Sequence, residues 1–266
     1  MINDIISIAI EAGDEILHVY DRGFEIEYKG DGSPLTEADQ RSHALIVERL
    51  SEYSPEIPVL SEESTNIDWE TRRRWDRFWL VDPLDGTKEF VKRNGEFTVN
   101  IALIDHGRPV LGVVNTPVQR LVHAGSETAG AFRQQNGGPP TPISTRTMGK
   151  GTTIMVASRS HAGPEIESFR QRLEAKTGAV QTTSMGSSLK ICLVAEGSAD
   201  IYPRLGPTSE WDTAAAHGVL AAAGGKITTL NGADLTYNKP DILNPWFLAM
   251  ADSAFDWTDV AAGVPQ

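Results

Sequence analysis

Cysteine is nearly absent from this chain of 266 residues: Cys192 is the only one. That excludes a disulfide framework and any cysteine-based metal site. No apolar run approaches the ~20 residues needed to cross a bilayer. The amino end lacks the basic stretch that opens a secretory signal, and Asp4, Glu11, Asp14 and Glu15 interrupt its apolar positions. Positive charge is also scarce. Lys and Arg number 24 against 36 Asp and Glu, a formal net charge of −12, which argues against nonspecific binding to nucleic acid or to an anionic membrane surface. The six histidines are scattered singly. No G-x-S-x-G or H-E-x-x-H occurs, and the run Gly224-Gly225-Lys226 is no phosphate-binding P-loop, because Ile227 follows it and Leu220 stands where the first glycine belongs. The expectation is a soluble cytoplasmic protein, with loose attachment to the inner face of the membrane left open. Any anionic substrate must then be drawn in by a local device such as a metal ion.

What is present is ordinary in bulk and particular in places. Hydrophobic residues make up 40% and charged ones 23%, as in a globular chain with one large core or two small ones. Ile2 to Tyr20 has helical apolar spacing, and Thr36 can cap a helix running to about Tyr53. Phe24 to Tyr28 and Pro58 to Leu60 read as short strands, and 97–104 with 110–115 as a hairpin. The first half therefore predicts helices on an antiparallel sheet. Gly137-Gly138-Pro139-Pro140 punctuates the chain. Strand and helix patterns then alternate in α/β fashion, which gives an expected division into 1–140 and 141–266 with a ligand cleft between them.

The chemistry concentrates in Trp79-Leu80-Val81-Asp82-Pro83-Leu84-Asp85-Gly86-Thr87-Lys88-Glu89-Phe90. Pro83 is expected to end the strand at Asp82. The amides of Gly86 and Thr87 are left free at a helix start, beside two carboxylates suited to a hard cation. Further acids are Glu62-Glu63, Asp39 and Asp212, the last at the head of an apolar helix. Each has a bland alternative taken singly. Asp-Pro and Asp-Gly make turns, Asp39 suits a helix dipole, adjacent glutamates face solvent, and Asp212 can serve as an N-cap. Arg72-Arg73-Arg74 reads as a solvated helix face, His217 as a packing residue and Cys192 as a small buried hydrophobe.

Three motifs together resemble the inositol-monophosphatase superfamily of metal-dependent, lithium-sensitive phosphatases: Leu60-Ser61-Glu62-Glu63, Asp82-Pro83-Leu84-Asp85-Gly86-Thr87 and Trp211-Asp212-Thr213-Ala214-Ala215. Within it, the stretches 30–39, Ser158-Arg159-Ser160-His161, Gly186-Ser187-Ser188-Leu189-Lys190 and 195–204 look like 3′(2′),5′-bisphosphate nucleotidases of the CysQ type. The resemblance implies a layered αβαβα sandwich and hydrolysis of 3′-phosphoadenosine 5′-phosphate to AMP and phosphate. It implies two Mg²⁺ ions per subunit, or three. Glu62, Asp82 and the Leu84 carbonyl would hold one, and Asp82, Asp85 and Asp212 the second. Gly86 and Thr87 would bind the phosphate, and Asp39 with Thr87 and Glu62 would prepare a water for direct attack. Ser158, Arg159, His161, Ser188, Lys190 and Arg204 would bind the rest of a small bisphosphate nucleotide. An inositol- or sugar-phosphate phosphatase of the same fold is the alternative, followed by a non-catalytic phosphate- or metal-binding protein.

Overall fold

The computed structural model describes residues 1–22, 27–28, 34–64, 67–149, 151–158, 163–262 and 264. Its first helix, α1 (Ile2–Arg22), buries Ile5, Ala9, Ala12, Ile16 and Val19 along one stripe, as the 3.6-residue period requires. A short antiparallel pair, β1 (Glu27–Tyr28) and β2 (Pro34–Leu35), leads to α2 (Glu37–Tyr53). Then follow β3 (Val59–Ser61), a 3₁₀ turn (Glu62–Ser64), α3 (Trp69–Arg72), β4 (Arg77–Asp85) and α4 (Thr87–Val91). A meander completes this half: β5 (Thr98–Asp105), β6 (Arg108–Thr116), β7 (Leu121–Ser126), β8 (Gly130–Gln135) and β9 (Thr141–Pro142). The remaining elements are β10 (Thr153–Ser158), α5 (Pro164–Thr177), β11 (Val180–Met185), α6 (Leu189–Ala195), β12 (Ile201–Arg204), α7 (Glu210–Ala222), β13 (Lys226–Thr229), β14 (Phe247–Met250) and α8 (Trp257–Ala261).

Five layers result. The helices α1 and α2 cover one face of a sheet ordered β3-β4-β5-β6-β7-β8-β9, and α7 and α6 lie between it and a second sheet ordered β11-β10-β12-β14-β13. The fifth layer is α5 with α8. This is the αβαβα sandwich. The first sheet is antiparallel except at one edge, where β3 runs parallel to β4. That single exception to the expected antiparallel sheet arises because α3 and the turn before it carry the chain back over the edge. The strand β9 joins the first sheet beyond the Gly-Pro punctuation, so the change of sheet falls after 142.

Two further expectations are corrected. The strand β4 does not end at Pro83; it continues to Asp85 with a register shift between Asp82 and Asp85 against β5. A bulge is where a sheet tolerates the missing proline donor, and it turns both aspartates toward the same end of the sheet. Arg72 is not solvated: it is buried, stacks 5.5 Å from the centre of the Trp69 ring and donates to Asn238, Lys239 and Pro240. Those neighbours come from the distant 238–240 segment and leave no local trace in the sequence.

Small residues set the spacing of the middle layer. A Cβ built on Gly112 of β6 would lie 1.9 Å from the Ala215 carbonyl oxygen, and one on Gly218 of α7 would lie 2.9 Å from the Gly112 nitrogen. Helix and sheet backbones therefore touch, which only residues with little or no side chain permit.

Candidate active site

The bulge in β4, the turn after β3 and the head of α7 bring the acids together. One oxygen each of Asp82, Asp85 and Asp212 lie within 4.8 Å of one another. Asp212 is not the N-cap. Ser209 caps α7, and Asp212 is the third helical residue, its Oδ2 accepting from the Ser209 N–H at 2.8 Å in a capping box. That bond aims the carboxylate at the helix head. Asp82 is buried; its Oδ1 accepts from the Leu84 N–H at 3.1 Å, while Oδ2 is buried with no hydrogen-bond donor among the described residues. Asp85 Oδ2 is anchored across the two halves by the Ser188 N–H at 2.6 Å and by Asn100 Nδ2 at 3.3 Å.

The electrostatics are those of crowded anions. Burial, then the charges of Glu62, Asp85 and Asp212, push the Asp82 carboxyl well above its ordinary range. Burial also raises Asp85, and burial with the Asp85 charge lifts Asp212 to about 8. Three acids this close, with the Glu62 charge acting on them, stay ionised only with positive charge among them. The donor set is all oxygen, and Asp82 Oδ2 is an acceptor awaiting a partner. Both features fit a hard divalent cation.

Asp39 is buried in the first turn of α2, its Oδ2 accepting from the Thr36 N–H and hydroxyl at 2.7 and 2.8 Å. Ser42, one turn on, donates to the Pro83 carbonyl at 2.8 Å, which fastens this helix to the bulge. Burial brings the Asp39 carboxyl up to about 6, with Glu63 and Glu62 adding to the effect. Gly86 takes a left-handed conformation (φ 92°) ahead of α4 and gives it no side-chain cap. The Thr87 hydroxyl points back at the Leu84 carbonyl, 3.4 Å away.

A cavity of about 140 Å³ opens beside the acids, lined by Asp85, Gly86, Ser158, Lys190, Arg204 and Asp212 among others. Lys190 is buried in the first turn of α6, its ammonium donating to the Ser187 carbonyl and lying 5.6 Å from the centre of the Tyr202 ring. Burial lowers it to about 8 despite the Asp85 charge. Arg204 donates to the Pro207 carbonyl at 2.7 Å, and its Nε is buried with no partner among the described residues. The Ser188 hydroxyl is taken up by Asn100 and Thr98 at 2.9 and 3.0 Å, whereas the Ser187 Oγ has no partner among the described residues. Arg159 and His161 lie outside the described residues. The sequence reading missed Thr98 and Asn100, which hold Asp85 from β5; two buried polar residues within an otherwise apolar strand were the available signal. It also missed Tyr202 and Phe247, which line the cavity and read simply as core.

The model of the inositol monophosphatase family matches residues 1–256, and the chain belongs to that family. Within it, the chain is 48% identical to the 3′(2′),5′-bisphosphate nucleotidase CysQ of Escherichia coli K12, covering 93% of this chain and 98% of that protein. Among solved structures, CysQ from Bacteroides thetaiotaomicron superposes with a TM-score of 0.82 at 44% identity, covering 94% and 97% of the two chains. The SuhB protein of Bartonella henselae, at 22% identity and a TM-score of 0.78, shares the fold. No described helix is long and apolar enough to cross a membrane.

Proposed function

We propose that this protein is a Mg²⁺-dependent 3′(2′),5′-bisphosphate nucleotidase that hydrolyses 3′-phosphoadenosine 5′-phosphate to AMP and phosphate. The observation that carries the reading is one cavity with carboxylates clustered on one side and two cations, the buried Lys190 and the half-buried Arg204, on the other. One charged group of a substrate suits the acid cluster through metal; a second suits the cations directly. The cavity lies where residues 85–89 face residues of the second sheet and its helices, between Ser158 and Phe247.

Glu62, Asp82, Asp85, Asp212 and the Leu84 carbonyl would hold two ions. When bound, Mg²⁺ offsets the charge of a phosphate dianion and acidifies water. Asp39, poised near 6 by burial, accepts the proton of the attacking water, oriented with the Thr87 hydroxyl. The amides of Gly86 and Thr87 hold the scissile phosphate, since no side chain caps that helix start. Lys190, Arg204 and Ser158 hold the other phosphate. With Asp39 and the Thr87 hydroxyl assigned to water, the nucleophile of this reading is water itself, which attacks phosphorus directly.

Phosphate release from 3′-phosphoadenosine 5′-phosphate, inositol 1-phosphate and fructose 1,6-bisphosphate, measured side by side with Mg²⁺, tests the reading. Preference for the first by at least about tenfold in kcat/KM is expected. Preference for either of the others moves the protein to the inositol- or sugar-phosphatases, and no release from any would mark a binding protein.

A further inference from the structure

The cavity contains one carboxylate that the reaction above does not use. Glu89, on α4, lines it beside Lys88, Met185 and Ser187. It is half-buried, and its carboxylate makes no hydrogen bond or ion pair with any described residue. Two glycines keep its place open. A Cβ on Gly186 would lie 2.9 Å from the Glu89 Cγ, and one on Gly86 would lie 3.4 Å from its Oε2. Glu96, by contrast, is engaged: its Oε2 accepts from the Gly186 N–H at 2.8 Å and so fixes the opposing loop. The Glu89 carboxylate has no partner among the described residues, and its charge reaches Lys190.

An unpaired, partly desolvated carboxylate is costly, and beside an anion-binding site it also repels the substrate's phosphates. An ionised carboxylate is an acceptor only, so a direct gain requires a donor. Apart from its phosphates, a nucleoside bisphosphate offers two kinds, a ribose hydroxyl and the exocyclic amine of the base. We propose that Glu89 accepts a hydrogen bond from the nucleoside part of the substrate and thereby selects nucleoside bisphosphates over phosphate esters that lack such a donor. The proposal rests on the nucleotidase reading. It makes Glu89 a specificity residue, because a site built to pair with a polar group rejects analogues that leave that site unpaired.

The test compares the unaltered protein with Glu89→Ala and Glu89→Gln at saturating Mg²⁺. The substrates are 3′-phosphoadenosine 5′-phosphate, its 2′-deoxy and inosine counterparts, and phenyl phosphate. Glu89→Ala is expected to lower kcat/KM on the adenosine substrate about ten- to hundredfold, the effect of one charge-assisted hydrogen bond. Glu89→Gln, which keeps an acceptor, should lose less. The loss should shrink to under about threefold on whichever analogue lacks the donor, the 2′-deoxy arm reporting the hydroxyl and the inosine arm the amine. On phenyl phosphate the fall should likewise stay under about threefold. An equal fall on all four substrates would overturn the proposal, as would no change or a gain on the adenosine substrate. Failure of the unaltered protein to hydrolyse that substrate would instead remove the reading beneath it.

Discussion

Replacing Gly112 by alanine tests how the acid cluster is held. The added Cβ would lie 1.9 Å from the Ala215 carbonyl oxygen, where ordinary contact begins at 3.4 Å. The two backbones must therefore separate by up to 3.4 − 1.9 = 1.5 Å. The obstacle is main chain, which has no rotamer to escape into. Ala215 lies one turn along α7 from Asp212, so the displacement reaches the carboxylate that completes the 4.8 Å cluster. A Mg²⁺ site requires its oxygens at about 2.0–2.1 Å, so a shift on this scale detaches a ligand. Overpacking of this kind costs about 3 kcal/mol, a fall in Tm of roughly 6–12 °C for a chain of this size. Thermal melts and Mg²⁺ titrations of activity provide the assay. The expected outcome for Gly112→Ala is that lowered Tm together with at least a tenfold higher Mg²⁺ half-saturation, an ångström-scale misplacement being worth more than that in many active sites. Gly206→Ala is the control, because a Cβ there meets nothing within 4 Å. If Gly112→Ala melts like its parent and needs no more Mg²⁺, backbone contact does not set the cluster.

Asp212→Asn should lower turnover more than about a hundredfold while keeping the fold, since asparagine preserves the acceptor of the capping box. With its carboxyl raised to about 8 in the fold against 3.8 unfolded, ionised Asp212 destabilises the metal-free protein above pH 4. The variant should therefore melt higher than its parent in chelator at pH 8–9, and near-normal turnover would refute the ligand assignment. Lys190→Ala should lower kcat/KM about ten- to hundredfold on 3′-phosphoadenosine 5′-phosphate and much less on inositol 1-phosphate; equal losses would make Lys190 a structural residue. His217 is buried, bonded to the Tyr237 hydroxyl at 2.9 Å, and lowered by burial to about 4 from 6.5. Its neutral form is the stable one in the fold, so its contribution is complete above pH 6.5 and is lost as pH falls toward 4. That amounts to about 2 kcal/mol at pH 5. The melting temperature of His217→Gln should accordingly fall less between pH 7 and pH 5 than that of the parent, and parallel profiles would refute the account.

The sequence by itself determined the elements and the chemistry. Apolar period marked α1, Thr36 marked the start of α2 that the structure keeps, and an apolar run at 211–223 marked α7. The family was legible because Asp82, Asp85 and their glycine sit within a few residues of one another, where local backbone rules apply. Only the tertiary structure decided what long-range contacts impose. It carried β4 through Pro83, because β5 supplies a partner on the far side of the bulge. It buried Arg72 against a segment more than 160 residues away. It moved the capping role from Asp212 to Ser209 and freed Asp212 for the cluster. It spent the Ser188 hydroxyl on Asn100 and Thr98 and left the Ser187 hydroxyl without a partner among the described residues. Glu89 shows the difference most plainly. In the chain it is one more acid in an acidic protein, and its carboxylate's freedom from described partners exists only once Gly86 and Gly186 close around it. Local propensity acts over a few residues, whereas burial and the pairing of charges depend on which distant segments the packed core brings alongside.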